Sequence, residues 1–270
     1  MDPSQQQQQP SSNTNKEYYD ENGLPKYEEL ISYENKLREE IENTSPLVSE
    51  PLDVAVLTTE YQNTEYITSI VQIISKYKHI RTTRRDGNCF YRGYLFRLFE
   101  EIGINKDSDL FTKITKVVEY SKEITGKHNY EWTVYEDFYT VFKEEIERVY
   151  MIDKEYVKEY LKKLFENKEK GNYLIVFVRL FIAAYLKENK ILYENFIFEQ
   201  EFESWILKEV ETVDNECDQI QIMAIVNAFD IGVTIEYLNV SNVDTIMFPE
   251  GNNNNFIKLL YRPGHYDILY

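Results

Sequence analysis

The sequence predicts an α/β chain of the α+β kind, in which a helical lobe packs on a small central sheet of mostly antiparallel strands. Three observations predict it. Apolar residues recur at helical spacing through the middle of the chain, and the period shortens to two after Ile231. The 270 residues are also 43% hydrophobic and 15% aromatic, enough to bury the core of one large domain.

Taken in order, residues 1–24 are polar and rich in Gln, Asn and Ser, offer little to bury, and are expected to form a disordered tail. From Pro25, suited to a first helical turn, Leu30, Tyr33, Leu37 and Ile41 keep helical spacing, so 25–45 is expected to be a helical arm. The body, 46–270, opens near Ser45-Pro46, and Ile67, Ile70, Val71 and Ile74 predict a helix running toward Lys78. Helices follow on Leu110, Ile114, Val117 and Val118, on Val134, Phe138, Val141, Phe142 and Ile146, and on Val157, Leu161, Leu164 and Phe165. The apolar run from Tyr173 to Leu186 predicts a buried helix, and Phe202, Trp205, Ile206 and Val210 another. Asp218 suits an N-cap for a short helix containing Ile222, Ile225, Val226 and Phe229. Ile231, Val233, Ile235 and Tyr237 then alternate as a strand does. After an Asn-rich loop at 251–255, strands are predicted over 256–261 and 265–270, with Pro263-Gly264 as the bend between them.

Composition excludes several functions. A formal charge of −17 argues against a nucleic-acid partner, because phosphate backbones are bound by clustered Lys and Arg. Part of that acidity sits at the front, where residues 1–50 hold 11 acidic and 4 basic residues. The two cysteines, Cys89 and Cys217, lie far apart with no CxxC pair, so neither a disulfide framework nor a cysteine zinc site is indicated. The N-terminus lacks the basic and apolar regions of a signal peptide, and the run from Tyr173 to Leu186 is broken by Arg179 and too short to span a bilayer. A cytoplasmic protein is expected, with the nucleus also open to it and no membrane partner.

One segment stands out chemically. Asp86-Gly87-Asn88 is a turn, and Phe90, Leu95, Phe96 and Phe99 place a helix start at or just before Cys89. At a helix N-terminus the free N–H groups and partial positive charge are expected to lower a thiol pKa, and the same N–H groups can bind an oxyanion. A thiolate nucleophile needs a base, and the chain has three histidines. His79 is expected to end a polar helix face beside Lys78, and His128 sits in the Gly126-Lys127-His128-Asn129 turn. His265 begins a strand after a rigid bend and is followed two residues later by Asp267. Side chains two apart on a strand share a face, so Asp267 can hold the imidazole in one orientation. Such residues are more often a buried cysteine and a satisfied pair than a catalytic set, and spacing alone leaves both readings open.

The two motifs carry a resemblance. Asp86-Gly87-Asn88-Cys89-Phe90-Tyr91-Arg92 resembles the nucleophile motif of the ovarian-tumour (OTU) deubiquitinating enzymes. Leu260 to Tyr270, which contains Pro263-Gly264-His265-Tyr266-Asp267, is similar to the histidine motif of their otubain branch. Further similarity runs through Pro46 to Glu50, Tyr173 to Leu186, Asp218 to Tyr237 and Phe248 to Gly251, so the resemblance covers roughly 46–270 and little of the first 45 residues. It implies a papain-like cysteine protease fold and an OTU catalytic domain over 46–270. Cys89 would be the nucleophile, His265 the base and then acid, Asp267 the residue orienting His265, and Asp86 a shaper of the oxyanion loop usually counted as catalytic. The implied reaction is hydrolysis of the isopeptide bond between the ubiquitin C-terminal glycine and a lysine, through a thioester and without metal or organic cofactor. The implied partners are ubiquitin and polyubiquitin, with ubiquitin-conjugating enzymes as further candidates, and the chain is expected to be a monomer. A binding module that represses ubiquitination without catalysis is the alternative, and activity on a ubiquitin-like modifier a third.

Overall fold

The computed structural model describes residues 45–270 apart from 62, 63, 199 and 253, together with positions 31, 32, 35, 36 and 39. The chain divides into two compact units, Met1–Thr44 and Ser45–Tyr270. The expected tail over 1–24 lies outside the described residues, and so does the arm over 25–45 apart from its last residue and those five positions, which are helical.

In the second unit the helical lobe is built from α1 (Ile67–Lys76), α2 (Cys89–Asn105), α3 (Ser108–Lys127), α4 (Trp132–Met151), α5 (Lys154–Glu166) and α6 (Lys168–Glu188). A turn of α-helix, Phe202–Trp205, runs into a π-helical turn, Ile206–Glu211, before α7 (Gln219–Phe229). Asp218 caps α7 as its spacing predicts, in a reciprocal box with Gln221. Asp107 caps α3, accepting from the backbone of Asp109 and Leu110. An aromatic stack fills the lobe: the Phe142 ring lies 4.2 Å from that of Phe177 and 5.5 Å from that of Phe99.

The sheet has six strands in the order β1-β2-β6-β5-β3-β4, from β1 (Leu52–Asp53), β2 (His79–Arg81), β3 (Val233–Leu238), β4 (Val243–Phe248), β5 (Ile257–Arg262) and β6 (His265–Leu269). Only β3 and β5 pair in parallel, so the sheet is mostly antiparallel as expected. The β5–β6 hairpin pairs Arg262 with His265 at its mouth, and Gly264 in the bend has a φ of +70°. Helix α2 lies flat on this hairpin: a Cβ added at Gly93 would come 3.2 Å from Leu259 and 3.4 Å from Ile268. That close approach sets the Cys89 end of α2 against the His265 end of β6.

Three details depart from expectation. Helix α1 stops at Lys76, and His79 opens a strand instead of ending a helix, because β2 is drawn into the sheet between β1 and β6. Strand β4 was not anticipated; it pairs along its whole length with β3. The apolar stripes of two helices are also rotated. Ile67 and Val71 are exposed while Ser69, Ile70 and Ile73 are buried, since the Ser69 hydroxyl donates to the carbonyls of Asn239 and Asn242. Likewise Val134 is exposed and Tyr135 buried, its hydroxyl donating to Ser121 Oγ at 2.9 Å.

Candidate active site

Cys89 is the first residue of α2, and Asn88 before it sits at φ −107° and ψ 5°. The first turn of a helix leaves its N–H groups without intrahelical acceptors, so this end of α2 presents donors. The turn leading into it is tightly held. Asp86 Oδ1 accepts from the Asn88 N–H at 3.1 Å, and its two oxygens take Arg92 Nη1 and Nη2 at 2.8 and 2.6 Å. Gly87 has a φ of +75°, and a Cβ there would lie 1.9 Å from the Asp214 carbonyl oxygen, so only glycine fits. Asp86 therefore holds the turn through Asn88 and Arg92.

His265 and Asp267 meet as their spacing predicts. His265 Nε2 lies 2.8 Å from Asp267 Oδ1, and both residues are buried. Asp267 is held from two further sides, by the Thr83 N–H at 3.0 Å on Oδ1 and by Arg262 Nη2 on Oδ2. Burial alone would raise this carboxyl, but the His265 ring, the Arg262 guanidinium and the Thr83 N–H together hold it below the usual carboxylate range. An ionised Asp267 accepts from Nε2–H and so leaves Nδ1 as the basic nitrogen of the ring. Nδ1 is buried with no hydrogen-bond partner among the described residues. A buried ring nitrogen without a partner calls for an explanation.

The nucleophile candidate lies against the residue that follows His265 on the strand. The Cys89 thiol is hydrogen-bonded to the backbone of Tyr266, the residue after His265, and the Phe90 ring packs edge-on against Tyr266 at 5.2 Å. Burial pushes the thiol up to about 11, and the Asp86 carboxylate adds to that, while the Tyr266 and Phe90 backbone and the Arg92 guanidinium pull it down by less. This overturns the expectation of a thiol pKa lowered by the helix N-terminus. Removal of the sulfur from water outweighs the helix end. Cys89 opens on a cavity of about 250 Å³, lined also by Glu216, Cys217, Tyr237, Tyr261, Gly264 and Tyr266. The remaining histidines take no part: His79 is exposed on β2, and His128 pairs with Glu188 at 2.8 Å.

Sequence reasoning missed Thr83, Arg92 and Arg262 as supports of the site. Arg262 was legible in part, since a bend at Pro263-Gly264 places it opposite His265 on the hairpin. Among the described residues no group of three or more acidic, histidine or cysteine side chains could hold a metal ion. No described helix is long and apolar enough to cross a membrane.

The chain is similar to known proteins along most of its length. The family model of peptidase C65, otubain, matches residues 40–270. Ubiquitin thioesterase OTUB1 of Homo sapiens is 33% identical over 275 residues, which span 100% of this chain and 98% of that protein. Similarity thus reaches into the first 45 residues, further than the motifs alone suggest. Ubiquitin thioesterase OTUB2 of Homo sapiens is 28% identical over 85% of this chain and 97% of its own. Among solved structures, that of h/ceOTUB1 with ubiquitin aldehyde and UBCH5B~Ub matches with a TM-score of 0.80 at 26% identity, covering 90% of this chain and 97% of that one.

Proposed function

The chain belongs to the otubain family of peptidases, and on that premise we propose that it removes ubiquitin by hydrolysing the isopeptide bond to lysine through a thioester on Cys89. It is a thiol-dependent ubiquitinyl hydrolase, like the relatives it matches along nearly their whole length, and ubiquitin and ubiquitin-conjugating enzymes are its partners. The observation that carries the finer reading is the His265 ring, held at Nε2 by Asp267 and unpartnered at Nδ1, with the next residue on the strand touching the Cys89 thiol.

His265 Nδ1 takes the Cys89 proton as the sulfur attacks the carbonyl carbon of the C-terminal glycine. The carbonyl oxygen becomes an oxyanion at the start of α2, where the Cys89 N–H faces it and the Asp86–Arg92 pair holds the turn. The imidazolium gives its proton to the lysine amine, the C–N bond breaks, and a thioester remains. Water then attacks with His265 as base, and the collapsing intermediate releases the ubiquitin carboxylate and returns the proton to sulfur. Asp267 stays ionised throughout, stabilising the imidazolium and fixing the ring. Burial pushes the free thiol up, so its proton passes to His265 as the sulfur attacks.

A panel of di-ubiquitins covering every linkage, incubated beside a Cys89→Ala control, tests the reading. Cleavage by the wild type alone is expected, and a wild type that cleaves none of them ends it. The solved complex of h/ceOTUB1 with ubiquitin aldehyde and UBCH5B~Ub favours a second role, sequestration of charged conjugating enzymes. A cellular effect that survives Cys89→Ser assigns that effect to sequestration.

A further inference from the structure

Arg179 lies in the middle of α6, inside the most apolar stretch of the chain, and is fully buried. Its guanidinium forms no ion pair with a carboxylate among the described residues; it meets the oxygens of neutral groups instead. Nη2 donates to Asn88 Oδ1 at 2.8 Å, to the Asn215 carbonyl at 2.7 Å and to the Gly87 carbonyl at 3.3 Å, while Nη1 donates to the Val210 carbonyl at 3.1 Å. The Tyr91 ring covers the group at 4.2 Å. One buried cation thus ties together the turn before Cys89 and the 210–215 loop that leads to Cys217 on the cavity wall.

An uncompensated buried charge is expensive, and an apolar residue of the same size often serves packing as well or better. Its placement therefore asks for a use. Asn88 immediately precedes the nucleophile, so its backbone angles aim the Cys89 N–H. Its amide is clamped from both sides: Oδ1 takes Arg179 and the Asp214 N–H at 3.2 Å, and Nδ2 donates to Asp214 Oδ1 at 2.8 Å. Donors that stabilise an oxyanion act only when they are already aimed, since reorienting them during the reaction forfeits the gain.

We propose that Arg179 is a positioning residue for the hydrolysis: through Asn88 and Gly87 it presets the turn whose N–H groups receive the oxyanion, and it supplies a fixed positive charge behind them. This rests on the hydrolase reading above. It predicts an effect on the chemical step and little on ubiquitin binding or on the thiol itself.

The test uses the full chain with a ubiquitin C-terminal fluorogenic amide, reading kcat, KM, melting temperature and the rate of Cys89 alkylation by iodoacetamide, a reaction that forms no oxyanion. Arg179→Met is expected to lower kcat about 100-fold with KM and the alkylation rate each within about threefold of wild type. Arg179→Lys, which keeps the charge and reaches fewer acceptors, should recover about tenfold of that. Asn88→Ala cuts the same tie from its other end; it should lower kcat comparably and add little in the double variant. A folded Arg179→Met with kcat within about threefold of wild type overturns the proposal, and so does a kcat loss that alkylation and melting temperature follow in parallel. If Arg179→Met does not fold, Asn88→Ala decides by the same readouts, and an unchanged kcat there overturns it. Wild type that leaves both the amide and the di-ubiquitin panel intact overturns the hydrolase reading and this role with it, whereas active wild type with equally active variants removes this role alone.

Discussion

Replacing Asp267 by Asn changes one atom and removes a buried charge from the centre of the site. In the wild type Oδ1 accepts from the Thr83 N–H and His265 Nε2–H, and Oδ2 accepts from Arg262. An asparagine has one oxygen for these two positions. With the oxygen toward Thr83 and His265, its NH₂ points at the Arg262 guanidinium, donor against donor. Turned the other way, the NH₂ meets the Thr83 N–H and drives the proton of the ring from Nε2 to Nδ1, the nitrogen that must take the Cys89 proton. The first orientation leaves a buried cation short of its carboxylate, at roughly 3–5 kcal/mol for a broken buried pair. Arg262 keeps Glu60 on Nη1 at 2.5 Å, so the lower end applies, about 3 kcal/mol. The second orientation leaves one buried donor unpaired, about 1–3 kcal/mol, and puts the base in the wrong tautomer, which in comparable triads lowers kcat about 10⁴-fold. Hydrolysis of a ubiquitin fluorogenic amide and urea unfolding measure the two effects on one sample. A kcat within tenfold of wild type, with less than about 1 kcal/mol of lost stability, would refute this account of the His265–Asp267–Arg262 network.

The same group carries a pH signature. Because the folded state holds the Asp267 carboxyl below its ordinary value, its stabilisation is complete above about pH 4 and is lost as pH falls through the folded-state value, so the stability gap between wild type and Asp267→Asn should shrink below pH 4. Alkylation of Cys89 in the free protein should rise about tenfold per pH unit from 7 to 10, as a thiol pushed up to about 11 requires; a rate already level by pH 8 would contradict the burial of the thiol. Gly87→Ala should lower stability by at least about 2 kcal/mol in urea unfolding, because the new methyl would lie 1.9 Å from the Asp214 carbonyl in a turn whose φ is +75°. Phe142→Ala, which empties the space between Phe99 and Phe177, should cost about 3–5 kcal/mol in the same assay and leave KM near wild type.

Most helices were legible because they bury one face, and a 3.6-residue period survives in the sequence whatever the partner is, while α6 was legible as a nearly continuous apolar run. Its phase did not survive as well. In α4 the tyrosines Tyr135 and Tyr139 are buried in place of Val134, which a reading by hydropathy prefers, since their hydroxyls find Ser121 and Glu119 across the helix interface. Strands β1 and β2 span two and three residues, too few to show alternation, and exist because β6 offers β2 an edge. Arg179 read only as an interruption of an apolar run; its partners lie at 87, 88, 210 and 215, and no local pattern connects them.

Local chemistry was therefore written in the chain itself: a cysteine at a helix start after a glycine turn, and a histidine two residues before an aspartate on a strand, because both arrangements depend on neighbours within a few positions. Only the folded protein decided that β6 lies under α2, that Asp267 is shared by Thr83 and Arg262, and that burial pushes the Cys89 thiol up. The physical reason is range. Hydrogen-bonding turns and strand faces follow from adjacent residues, whereas the charge state of a buried group is a sum over every atom around it, some of them supplied by residues more than a hundred positions away, as Tyr266 is to Cys89 and Thr83 to Asp267.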